Sequence, residues 1–145
     1  VGSEMCIRDR ERDHPMLGFC VMGGVFSEGI DLTHDRLIGV IVVGTGIPQV
    51  CNDREIVKNY FDQRGMRGFD YAYLYPGMNK VLQAAGRVIR TAEDVGIIVL
   101  LDERFRQYSY RRMFPREWEQ VVPVTVDTVA KKVERFWDAW LWQQR

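Results

Sequence analysis

Two runs of branched apolar residues set the frame of this chain: Leu37 to Val43, L-I-G-V-I-V-V, and Val95 to Leu101, V-G-I-I-V-L-L. Neither alternates polar with apolar, so each reads as a strand covered on both faces, the pattern of a parallel sheet with helices packed on it. A third run, Leu17 to Gly24, reads as a short buried strand ending in glycines, and Val25 to Leu32 follows as a loop and turn. Between the main runs a helix is expected from about Asp53 to Gln63. Arg64 to Arg67, with Gly65 and Gly68, then forms a flexible break. Phe69 to Tyr75 is either a short helix or a buried linker. Its tyrosines either stack on bases or, more commonly for such rings, lie buried as amphipathic aromatics. Val126, Val129, Val133, Phe136, Trp137, Trp140 and Leu141 fall at helical spacing, so the chain is expected to end in an amphipathic helix whose tryptophans dock on the sheet or on a neighbouring domain. The fold class is α/β.

Lys80 to Arg90, K-V-L-Q-A-A-G-R-V-I-R, is expected to be a helix beginning near Met78, after a break at Pro76-Gly77. It places Gln83, Arg87 and Arg90 at i, i+4 and i+7 on one face, with Val81, Leu82, Ala85, Val88 and Ile89 around the remainder. Gly86 in mid-helix costs about 1 kcal/mol relative to alanine, which implies close packing there. Two readings stand side by side. The stripe is a solvated helix face, or it is an anion clamp, because a guanidinium presents forked donors to phosphate oxygens and keeps its proton.

The chain's 145 residues suffice for one domain with a core. Its 20 basic and 20 acidic side chains balance, which disfavours a module that grips nucleic acid by global charge and leaves room for a local patch. Val1 to Arg10 has no periodicity, reads as a sequencing or gene-calling artefact and is set apart from the domain, taken as residues 11–145. The three cysteines show no C-x-x-C spacing, no zinc or iron–sulfur ligand set is legible, and no metal site is expected. No apolar run reaches the eighteen or so residues needed to span a bilayer, so no membrane partner is expected and a cytoplasmic location is. G-T-G-I-P-Q, Gly44 to Gln49, lacks the third glycine of a dinucleotide loop and has Pro48 where a helix would open. Asp102 and Glu103 after an apolar strand imitate magnesium-binding acids. The chain has no Gly-Lys dipeptide, hence no phosphate-cradling loop for them to serve. Arg104, Arg106, Arg111, Arg112 and Arg116 form the one basic cluster, either a solvated loop or a phosphate-backbone contact.

Gly23 to Leu32, G-G-V-F-S-E-G-I-D-L, together with Q-A-A-G-R-V-I-R at Gln83 to Arg90, resembles motifs V and VI of superfamily 2 DNA helicases, most closely the XPD/DinG-like branch. Phe69 to Lys80 strengthens the likeness, which runs from about Met16 to the C-terminus. The resemblance implies part of a second RecA-like motor domain, a mostly parallel sheet flanked by helices. It implies an ATP site with Mg2+ completed by a first, N-terminal motor domain absent from this chain, where an iron–sulfur cluster would also reside. Arg90 matches the arginine finger, Arg87 a phosphate contact, and Gln83 the leading glutamine of motif VI. In motif V, Gly29 matches the close-approach glycine and Asp31 the acid that couples nucleotide to DNA. Glu28 flanks the nucleotide side, and Ser27 would touch a DNA phosphate; the other reading of Ser27 and Glu28 is an N-cap pair at a turn. Arg111 and Arg112 are the further candidates for DNA contact. Single-stranded or forked DNA is the implied partner, with 5′ to 3′ polarity. The chain alone is expected to be inactive as an ATPase. The competing reading is a non-catalytic, helicase-derived module that binds DNA or protein.

Overall fold

The computed structural model describes residues 17–24, 37–89, 91, 93–118 and 120–143. Strand β1, Gly39–Val43, pairs in parallel with β2, Ile97–Leu101, in the register Gly39↔Ile97 to Val43↔Leu101. Gly44 N–H extends the ladder by donating to Leu101 O at 3.2 Å. Both strands and their parallel sense agree with the sequence. Among the described residues the chain is α/β, a small two-stranded parallel sheet flanked by helices.

Coverage on two faces is not what the described residues show. Val42 is buried against the helices, whereas Ile41 and Val43, on the opposite face, are exposed. The expected strand at Leu17 to Gly24 is likewise not a strand. This stretch is irregular and closes in a turn, Gly24 N–H donating to Val21 O. An apolar run becomes a strand only where a ladder partner exists, and none lies beside it among the described residues.

Helix α1, Asn52–Asp62, carries Asp53 and Glu55 in its first turn, where carboxylates favour the helix dipole. It ends in paired bonds, Met66 N–H to Phe61 O and Gly65 N–H to Asp62 O, with Gly65 at φ 72° in the left-handed position such a cap requires. The expected flexible break is therefore a defined turn. Asp62 continues it: Oδ1 accepts Gly68 N–H at 2.8 Å and so caps the helical segment that follows.

That segment passes through a π turn, Asp70–Leu74, directly into helix α2, Tyr75–Ala85. Pro76-Gly77 is no break. The helical path runs on through Pro76, whose missing N–H leaves Ala72 O, four residues back, without that donor; Arg54 Nη1 donates to it instead at 2.8 Å. Gly77 allows the loop after β1 to cross at backbone distance: a Cβ at Gly77 would lie 2.8 Å from Thr45 O and 2.9 Å from Ile47 N. Gly46 answers from the other side with φ 65° and a would-be Cβ 2.7 Å from Gly77 O. The G-T-G segment is thus a tight connection, with Gly46 serving a backbone crossing.

Helix α2 closes the core. Met78, Val81 and Leu74 pack with Val42, Phe105 and Tyr110, and Met22, Val40 and Leu100 border them. After β2, a 3-10 turn at Glu103–Arg106 and the short helix α3, Tyr108–Arg111, carry Phe105 and Tyr110 into this cluster. Helix α4, Val126–Gln143, forms as its periodicity predicts. Its rings meet one another edge to face, Phe136 with Trp137 and Trp137 with Trp140. Phe136, Leu141 and Trp142 remain exposed, while Trp137 and Trp140 are half-buried.

Candidate functional site

The helix expected through Arg90 stops at Ala85. Gly86 caps it, its N–H bonded to Leu82 O at 2.8 Å. Arg87 N–H to Ala84 O and Val88 N–H to Ala85 O then tighten the chain into a three-residue turn. Gly86 therefore sits at a helix end, where its cost in a helix interior does not apply. Val88 drops into the core, leaving Gln83 exposed on the last turn of α2 and Arg87 half-buried on the turn beyond it. The i, i+4, i+7 stripe is not the face of one continuous helix.

Ser27, Glu28, Gly29, Asp31 and Arg90 lie outside the described residues. The approach to the first four is described. Met22 borders the core, and a Cβ at Gly23 would meet Lys80 Cε at 3.6 Å. Gly23 thus lies beside the end of the Lys80 side chain of α2, one turn before Gln83.

Arg111 and Arg112 part company. Arg111 is exposed, whereas Arg112 Nη2 is 2.9 Å from Oδ2 of Asp70, a buried carboxylate in the π turn. Arg67 Nε reaches the same oxygen at 3.4 Å, and Tyr75 Oη lies 3.4 Å from Arg112 Nη2. Sequence reasoning missed Asp70. It stands inside an aromatic run, and nothing in its spacing announces a partner 42 residues away.

Asp102 does not behave as a metal acid. Its carboxylate accepts Arg104 N–H and Nε at Oδ1 and Nη2 at Oδ2, and the guanidinium beside it holds it below the usual carboxylate range. It caps the turn that seats Phe105 in the core. Among the described residues no three His, Cys, Asp or Glu side chains gather as a metal-holding group. No described helix is long and apolar enough to cross a membrane.

What the sheet, the helix and its capped end amount to is decided by comparison with known proteins. Residues 6–121 match the helicase C-terminal domain family. The chain belongs to that family. It is 26% identical over 138 residues to a probable ATP-dependent helicase of Methanocaldococcus jannaschii, covering 88% of this chain and 21% of that protein. It is 34% identical over 89 residues to the ATP-dependent DNA helicase DinG of Photobacterium profundum, covering 60% of this chain and 13% of that one. The ATP-dependent DNA helicase chl-1 of Caenorhabditis elegans is 35% identical over 96 residues, covering 65% of this chain and 11% of its own length. The chain thus spans about a fifth or less of the length of these relatives. The resemblance to DinG-like superfamily 2 helicases holds, and these relatives are ATP-dependent.

Proposed function

We propose that this domain supplies the motif V segment and the arginines Arg87 and Arg90 to an ATP site shared with a second motor domain, within a helicase that moves along DNA 5′ to 3′. The observation that carries the reading is the capped end of α2: the chain leaves the helix at Gly86 and holds Arg87 half-buried on a tight turn, beside a core anchored by Val88. Phosphoryl transfer spreads negative charge over the γ-phosphate oxygens, and an inserted guanidinium stabilises it by a factor on the order of 10³ or more. In this reading Arg90 is the finger, Arg87 binds phosphate, and Gln83 hydrogen-bonds within the nucleotide site. Gly29 and Asp31, flanked by Glu28, link nucleotide to DNA, with Ser27 on a DNA phosphate. The phosphate loop, the Mg2+-binding acids and any iron–sulfur cluster belong to the other domain. Asp102 is already committed to Arg104 and does not contribute.

The test is the ATP hydrolysis rate of the full-length gene product with and without single-stranded DNA, beside Arg87→Ala and Arg90→Ala. Stimulation by DNA that collapses in both variants while nucleotide still binds is the expected result. Hydrolysis indifferent to both arginines would overturn the assignment.

A further inference from the structure

We propose that the end of α1 and the π turn form a stacking platform for single-stranded DNA, separate from the motif V and VI segments. The choice of DNA rests on the helicase reading above; the platform itself rests on its rings and charges. Four aromatic side chains meet here, from the end of α1, the π turn and the first residue of α2. Phe61 and Tyr71 stack at 4.0 Å between centroids and 12° between planes, Tyr60 meets Phe61 edge-on at 5.3 Å, and Tyr75 meets Tyr71 edge-on at 5.2 Å. A ring cluster built only to fill a core would be covered, yet Tyr60 is 50% and Tyr71 39% exposed. Arg64 lies with its guanidinium carbon 3.5 Å from the Tyr60 centroid, which makes a flat cationic surface of the kind on which unpaired bases stack.

Charge around the rings favours a polyanion. The neighbouring acids engage groups within the fold: Asp62 meets Gly68 N–H and Lys58, Glu55 the Tyr73 hydroxyl at 2.6 Å, and buried Asp70 meets Arg67 and Arg112 through Oδ2, its Oδ1 having no partner among the described residues. The arginines are not used up by these contacts. A guanidinium carries five N–H donors; Asp70 engages only Nε of Arg67 and Nη2 of Arg112, and the Arg67 side chain is 71% exposed. Exposed rings flanked by guanidinium donors suit a flexible strand whose bases are splayed out, not a duplex whose bases are already stacked.

The experiment is binding of a fluorescein-labelled oligo(dT) to the full-length gene product without nucleotide, followed by anisotropy across a salt series, with a duplex of equal length as control. Tyr60→Leu and Tyr71→Leu are each expected to weaken oligo(dT) binding roughly tenfold, with Tyr71→Trp restoring it. Arg64→Gln and Arg67→Gln are each expected to lower the slope of log K against log salt by about 0.7. Crosslinking of 5-iodouridine DNA, mapped by peptide, reports contact in the wild-type protein, independently of how any variant folds. Adducts at Tyr60 or Tyr71 are expected. Leucine variants that bind as wild type, or adducts confined to residues 23–32 and 83–90, would overturn the platform. Arg87→Ala separates the two readings. Adducts at the tyrosines without arginine-dependent hydrolysis leave the platform standing and remove the motor assignment; the converse removes the platform alone.

Discussion

Replacing Gly77 by alanine sets two known effects against each other. Gly77 lies in the first turn of α2, and alanine in a helix is favoured over glycine by up to about 1 kcal/mol. Against this, the new Cβ would stand 2.8 Å from Thr45 O and 2.9 Å from Ile47 N, where ordinary contact begins at 3.4 Å. The obstructing atoms are backbone, so no side chain can rotate away. Either the loop after β1 or the start of α2 must withdraw by about 0.6 Å, the shortfall between these distances. Overpacking of this kind costs about 1–3 kcal/mol. Subtracting the helical gain leaves a net destabilisation of about 0–2 kcal/mol, and because both obstructing atoms are backbone that cannot rotate away, the upper half of that range is expected. Urea unfolding followed by circular dichroism at 222 nm measures it. Two controls fix the cause. Asn79→Ala, exposed on the same helix, is expected to be neutral or slightly stabilising. Gly65→Ala has nothing within 4 Å of its new Cβ but a φ of 72°, so it is expected to lose about 1–2 kcal/mol from backbone strain alone. A Gly77→Ala protein as stable as wild type would refute the backbone crossing.

Arg112→Ala removes the closer partner of a buried carboxylate and is expected to cost about 2 kcal/mol. This is less than the ~3–5 of a fully enclosed pair, because Arg67 remains and the Arg112 side chain is one-third exposed. Arg67→Ala, at a far more exposed cation, is expected to cost under about 1 kcal/mol in the same unfolding assay, and an equal loss would contradict this division. Gly68 N–H and then Lys58 hold the Asp62 carboxyl below its ordinary range, so its contribution is fully present above about pH 4 and is lost as pH falls through the lowered folded value. Asp62→Asn should therefore flatten the acid limb of a stability–pH curve, and an unchanged limb would count against the Gly68 cap. The hydrogen bond to Glu55 and burial push the Tyr73 hydroxyl up to about 12. The folded state then keeps a proton that the unfolded chain releases near pH 10, so stability falls between about pH 10 and 12. Tyr73→Phe should lessen that fall in alkaline thermal melts.

Much of the fold was legible because it depends on local pattern. Branched apolar runs name strands wherever a partner strand exists, and β1, β2, α1 and α4 appear within a residue or two of expectation. Leu17 to Gly24 shows the limit: its composition equals that of a strand, but pairing is a property of neighbours. Helix ends were misread for a related reason. Pro76-Gly77 reads as a break and Gly86 as a helix interior until the crossing loop and the buried Val88 show why each residue is where it is. Of the candidate site residues, Arg112 was legible as a basic side chain and not as the partner of Asp70.

The sequence by itself determined the chemistry on offer: the glutamine and arginines of the K-V-L-Q-A-A-G-R-V-I-R segment, the absence of a phosphate loop, and the α/β class. These follow from residue identity and short-range periodicity, which no packing can alter. Tertiary structure decided where α2 begins and ends, which acid Arg112 meets, and which of the aromatic rings stay open to solvent. Each of these turns on backbone and side chains remote in sequence competing for one volume, as Thr45 and Gly77 do, and such competition is settled only when the chain has folded.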